Sequence, residues 1–139
     1  MLFMIASGGL LLFLDQWSKR MVQEHVGDRG VCCGPILRIR RVASRKKSYR
    51  HNGARTGLVV IWFAALVSAI VLHGSGGWFQ SDVALVGLGL ALGGAAGNLW
   101  DILRRHYVVD FIDLRWWPVF NLADVAIIAG LVVAFWRHN

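Results

Sequence analysis

Four apolar runs, near residues 2–14, 57–73, 83–100 and 119–136, constrain this chain more than any other feature. A helix that crosses a bilayer needs about 20 mostly apolar residues. The first run reaches that length only by continuing through Asp15, Gln16 and Lys19. Of the 139 residues 56% are hydrophobic and 17% charged, and the mean hydropathy is +0.52. That is more apolar surface than a soluble domain of this size can bury, so the bilayer is the expected solvent. The fold class that follows is an all-α membrane protein, a single domain over residues 1–139 with four transmembrane helices. The first run has neither a basic leader nor a small-residue cleavage pattern after it, and is expected to be a retained helix, not a cleaved signal peptide.

Between the first two runs the chain turns polar and basic. Leu37 and Ile39 alternate with Arg38 and Arg40 as in a short strand, and Gly53 reads as a break. Residues 27–56 are therefore expected to form a small, partly β extramembrane subdomain. Fourteen of the fifteen Lys and Arg residues fall at the end of the first helix, in this segment, or in the loop at 103–118. In a four-span arrangement both loops share one face, and the positive-inside rule assigns that face to the cytoplasm. The cluster Arg45, Lys46, Lys47 and Arg50 has only Tyr49 as an interleaved aromatic, which argues against nucleic acid and for anionic membrane lipids as partner. Cys32 and Cys33 are adjacent, which disfavours a disulfide between them, and they read as free thiols.

The third run is nearly free of side-chain bulk. Gly89, Gly93 and Gly97 recur every four residues, the spacing that lets another helix approach closely. Polar residues beside membrane spans are costly and tend to be functional, and here they gather in the last third of the chain. Asn98 and Asp101, and again Asn121 and Asp124, repeat an Asn-x-x-Asp spacing that places amide and carboxylate on one helical face. Four aspartates, Asp101, Asp110, Asp113 and Asp124, fall within 24 residues. Two carboxylates held close cannot both ionise easily, so one keeps a proton while the other acts as a base toward water, the arrangement of aspartic peptidases. Asp110 and Asp124, flanked by apolar residues, are the candidates for that pair. Asp101 and Asp113 fit a structural role, as helix caps or as partners of Arg104, Arg105 and Arg115, as well as they fit a chemical one. No HExxH motif is present and His106 is the only histidine in the acidic window, so no metal and no cofactor is expected. The serines lack a nucleophile-elbow context.

As a set, Asp15-Gln16-x-x-Lys19, Gly93-Gly94-Ala95-Ala96-Gly97-Asn98-x-x-Asp101, Val108-Val109-Asp110-Phe111 and Phe120-Asn121-x-Ala123-Asp124 resemble the lipoprotein signal peptidases, or signal peptidase II. A further family motif is echoed by His51-Asn52-Gly53-Ala54-Arg55. Ile102 stands where the family usually has an arginine, with Arg104 and Arg105 as nearby substitutes. The resemblance implies a monomeric four-helix enzyme of the bacterial inner membrane, an aspartyl endopeptidase that removes signal peptides from diacylglyceryl-modified prolipoproteins just before the lipidated cysteine. It places catalysis on Asp110 and Asp124 and supporting or substrate-binding roles on Asp15, Lys19, Asn52, Asn98, Asp101 and Asn121. It also implies a site on the outer face with both termini in the cytoplasm, opposite to the charge rule. The alternatives are a catalytically inactive relative that binds lipoprotein precursors or peptidase inhibitors, and a small proton-coupled transporter.

Overall fold

The computed structural model describes residues 1–26, 30–32, 34–43 and 52–136, the side chains of Ala43 and Asn52 apart. The basic residues 45–47 and 50, Cys33, and the role expected of the Asn52 side chain lie outside the described residues. In chain order the elements are α1 (Leu2–His25), β1 (Val31–Cys32), β2 (Arg38–Ala43), α2 (Asn52–Gly74), α3 (Asp82–Arg105), β3 (Val109–Asp113) and α4 (Leu122–Phe135).

The four helices fall where the apolar runs predict, but their lengths differ. Two, Gly53–Gly74 and Asp82–Arg105, are long and apolar enough to cross a membrane on those grounds alone. Helix α1 has the length, at 24 residues, but carries Asp15, Lys19 and Arg20 in its second half. Helix α4 is shorter than the expected run at 119–136, with 14 residues, or about 21 Å at 1.5 Å per residue. Two features stop it from starting earlier. Phe120 pairs with Ile112 through backbone bonds of 2.8 and 3.1 Å, and the Asn121 side chain caps the first turn by accepting from Asp124 N–H. At the other boundary, α2 begins at Asn52, taking in a polar first turn that hydropathy alone assigns to the loop.

The β segment is also larger than expected. Strand β2 lies in the basic segment as the alternation predicts, but the sheet is three-stranded and antiparallel in the order β1-β2-β3, and β3 comes from beyond α3. Its sequence, Val109-Asp110-Phe111-Ile112-Asp113, lacks strict alternation because four of its five residues are buried. Arg38 lies opposite Asp113 across β2 and β3, and Arg40 forms an ion pair with Asp113. Asp113 Oδ1 also accepts the Arg115 backbone N–H at 2.8 Å. That bond first, and Arg40 after it, hold the Asp113 carboxyl below its ordinary pKa. This aspartate braces the sheet against the loop that follows.

Helix α3 is the centre of the bundle, packing extensively against α4 and α1 and much less against α2. Lipid tails are as apolar as leucine, so close backbone approach, not water exclusion, must hold such helices together. The glycines provide it on two faces. A Cβ at Gly93 would lie 2.5 Å from the Gly8 carbonyl oxygen on α1, and one at Gly87 would lie 2.5 Å from the Ala134 nitrogen on α4. On α2, Val60, Ile61, Phe63 and Val67 are each more than half exposed, as a lipid-facing helix requires.

Gly93→Ala should lower stability by about 1–3 kcal/mol, because the Gly8 backbone of α1 leaves the methyl no room. Gly57→Ala, with no atom within 4 Å of the added Cβ, should be neutral or slightly stabilising. Thermal melts of the two variants in one detergent check this; equal melts would show that the α1–α3 approach is not tight.

Candidate active site

The site lies where α1 and α3 end, α4 begins and β3 passes between them. It is built outward from one buried ammonium group. Asp15 and Lys19, four apart on α1, share a face, and both are fully buried, as is Asp101 on α3. Lys19 Nζ lies 2.7 Å from Asp15 Oδ2, 2.9 Å from Asp101 Oδ2 and 3.0 Å from Asn98 Oδ1. An ammonium has three donors, and these three acceptors use them all. Arg105 adds a bond of 3.0 Å to Asp101 Oδ1 from the next turn of α3, so two cations face two carboxylates. Of the two arginines near Ile102, Arg105 is the one that reaches the cluster; Arg104 is exposed.

Each buried carboxylate reaches beyond Lys19 to a backbone N–H. Asp15 Oδ1 accepts from Ala123 N–H at 3.1 Å, one of the first-turn donors of α4 that no helical carbonyl can satisfy. Asp101 Oδ2 accepts from Val109 N–H at 3.4 Å, at the start of β3. Ala123 and Val109 are the residues immediately before Asp124 and Asp110. Asp124 and Asp110 are therefore fixed through the same ionic cluster.

The two amides complete the connection. Because Asn98 Oδ1 faces Lys19, its Nδ2 points the other way and donates to Asp124 Oδ1 at 2.8 Å. Asn121 is fully buried at the start of α4, and its Oδ1 accepts from Asp124 N–H at 3.0 Å while Asp124 Oδ2 accepts from Asn121 N–H at 3.1 Å. This reciprocal cap fixes the Asp124 carboxylate at a helix N-terminus, where the helix dipole favours negative charge. Asn121 Nδ2 donates to Asp110 Oδ1 at 2.9 Å and lies 3.1 Å from Asn98 Oδ1. Asp110 and Asp124 thus meet across one pair of hydrogen-bonded amides. Asp124 is half-buried, whereas Lys19, Asp15 and Asp101 are sealed off.

Seven of the eight residues singled out from the sequence converge in this network; the side chain of the eighth, Asn52, lies outside the described residues. The expected common helical face of Asn121 and Asp124 is instead a capping box, since Asn121 precedes the helix. Asp110 is on a strand, and Asp113 belongs to the sheet brace. Sequence reasoning missed Gln16, whose Nε2 donates to the Gly97 carbonyl at 3.1 Å and ties α1 to α3. It stands inside the first motif, and the same Nε2 also lies 3.2 Å from Asp15 Oδ2 and 3.4 Å from Asp101 Oδ1, so it belongs to the cluster that Lys19 centres. Among the described residues, no group of His, Cys, Asp or Glu side chains could hold a metal ion.

The fold is that of a helical membrane enzyme. Two solved structures described as bacterial membrane enzymes determined by the in meso method superpose with TM-scores of 0.76 and 0.72, at 22% and 24% identity. Each match covers 94% of this chain, and 88% and 83% of the two structures. The family model for signal peptidase (SPase) II matches residues 8–138. The lipoprotein signal peptidase of Syntrophomonas wolfei is 56% identical over 126 residues, covering 87% of this chain and 82% of the relative. That of Moorella thermoacetica is 40% identical over 138 residues, covering 92% and 87%. The chain belongs to the signal peptidase II family, and is a peptidase that acts in lipoprotein processing.

Lys19→Met should destabilise the protein by about 3–5 kcal/mol, the cost of leaving buried carboxylates without their cation. Neutralising them in a Lys19→Met, Asp15→Asn, Asp101→Asn variant should recover part of that loss. Denaturation midpoints in detergent read both effects; a Lys19→Met protein as stable as the parent would contradict the ionic account.

Proposed function

We propose that Asp110 and Asp124 are the catalytic dyad of an aspartyl endopeptidase that cleaves diacylglyceryl-modified prolipoproteins before the lipidated cysteine. The observation that carries this reading is the junction of the two carboxylates at the Asn98–Asn121 amide pair, with Asp124 half-buried and the buried Lys19 fully engaged elsewhere. One carboxylate takes a proton from the attacking water, and the other, protonated, donates to the scissile carbonyl oxygen. The tetrahedral adduct then collapses as the amide nitrogen leaves with a proton, giving a free carboxyl end and a free amino end. Asn98 and Asn121 hold the carboxylates at fixed separation and orientation through both proton transfers.

A mainly apolar cavity of about 270 Å³ opens between α2 and α3, lined by Leu58, Ile61, Trp62, Leu92 and Ile127, with Asn98 at its edge. It suits an acyl chain or the apolar part of a signal peptide, and Asn98 at its edge donates to Asp124. The chain is a membrane protein in this reading, with all four helices inserted and α4 reaching only part way from the dyad's side. The site faces the outside of the bacterial inner membrane, where lipidated precursors are presented. The basic residues on that side then lie along anionic headgroups, which offsets the unfavourable charge bias.

Asp110→Asn and Asp124→Asn should each abolish cleavage of a purified lipidated prolipoprotein in a gel-shift assay while leaving the protein membrane-inserted, because an amide keeps the shape but cannot cycle the proton. Near-parental cleavage by either would overturn the dyad. On intact cells, a membrane-impermeant maleimide should label the exposed Cys32 in a Cys33→Ser background but not a cysteine placed at Ser75 in a Cys32→Ser, Cys33→Ser background; the reverse pattern would invert the orientation.

A further inference from the structure

On the outer side of the α1–α3 seam, one layer from the buried cluster, is a groove of about 450 Å³ that the peptidase reading does not use. Its lining is ordered by depth. Leu12 and Phe13 of α1 form the apolar end, Trp17 and Trp100 follow on α1 and α3, and Arg20 and Arg104 close the polar end. The spacings explain the order. Phe13, Trp17 and Arg20 lie at i, i+4 and i+7 on one stripe of α1, and Trp100 and Arg104 at i and i+4 on α3. Both tryptophans are about half exposed, at 53% and 52%, as residues at the interfacial depth of a membrane are.

From these features we infer that the groove is a binding site for one anionic glycerophospholipid. The acyl chain lies on Leu12 and Phe13, the glycerol region is flanked by the two indoles, and the phosphate is held by Arg20 and Arg104. Guanidinium groups match phosphate oxygens in geometry as well as charge. Arg105 also lines the groove, but it is committed to Asp101 at 3.0 Å and adds field more than contact. One internal competitor exists. Glu24 Oε1 pairs with Arg20 at 2.7 Å, an exposed bond that a phosphate can displace. The groove is separate from the Asn98 cavity, which opens between α2 and α3 on another face of α3. Through Gln16, which lines the groove and donates to Gly97, an occupant would brace the α1–α3 seam next to the dyad.

The test is native mass spectrometry of the whole protein in detergent, titrated separately with dioleoyl phosphatidylglycerol, dioleoyl phosphatidylcholine and inorganic phosphate. The parent should retain one phosphatidylglycerol in preference to phosphatidylcholine, and should not retain phosphate alone. The double variant Arg20→Gln, Arg104→Gln should lose roughly tenfold in phosphatidylglycerol affinity. Both positions are exposed, and an unchanged thermal melt separates loss of the site from loss of the fold. Glu24→Gln, which removes the competitor, should bind more tightly than the parent. Equal retention of the two lipids, retention of free phosphate at lipid-like strength, or an affinity unmoved by either variant would each overturn the site.

Discussion

The structure depends on a single ammonium group. Lys19 is placed in a region where an unpaired charge is prohibitively costly, and it is stable there because two carboxylates and an amide oxygen meet its three donors. Those carboxylates belong to different helices, so the cation fastens α1 to α3. Their remaining lone pairs then hold the backbone just before Asp124 and just before Asp110. A buried ion pair is weak as a source of net stability, since desolvation offsets much of its attraction. Its value here is geometric. The cluster sets where two other acids, Asp110 and Asp124, must sit.

That arrangement needs helices closer together than ordinary side chains allow. A Cβ at Gly97 would lie 2.5 Å from Asp15 Oδ2, so the glycine stripe that packs α3 on α1 also leaves room for the carboxylate. Packing and electrostatics are one constraint at this point, and bulk at residue 97 would displace the acid that caps α4. The sheet serves the same end from outside. With β3 held by β2 and by the Asp113–Arg40 pair, Asp110 is presented from a rigid strand and not from a loop.

Much of this was legible in the residues. The apolar runs gave the helices, the spacing of glycines gave the seam, and the acids beside the last two runs pointed to the site. Strand β3 was hidden because burial on both faces removes the period of two on which strand recognition rests, and because its partner lies some seventy residues away. The start of α4 was misread for a related reason: hydropathy runs through Val119 and Phe120, whereas the helix is set by a cap whose two halves, Asn121 and Asp124, look in sequence like neighbours on one face. Gln16 and the two backbone N–H groups were invisible because neither composition nor periodicity says which acceptor a polar donor will find once the elements are packed.

The central claim is that Asp110 and Asp124 act as one proton-sharing unit, and the pH dependence of cleavage tests it most directly. Two carboxylates joined through the same amide pair should titrate jointly, so the kcat/KM profile for a lipidated prolipoprotein should be bell-shaped, with limbs that belong to the pair and not to either residue alone. The rising limb marks loss of the first proton from the pair, and the falling limb loss of the second. A profile that stays flat from about pH 4 to about pH 9 would mean that no shared proton is required, and would contradict the account.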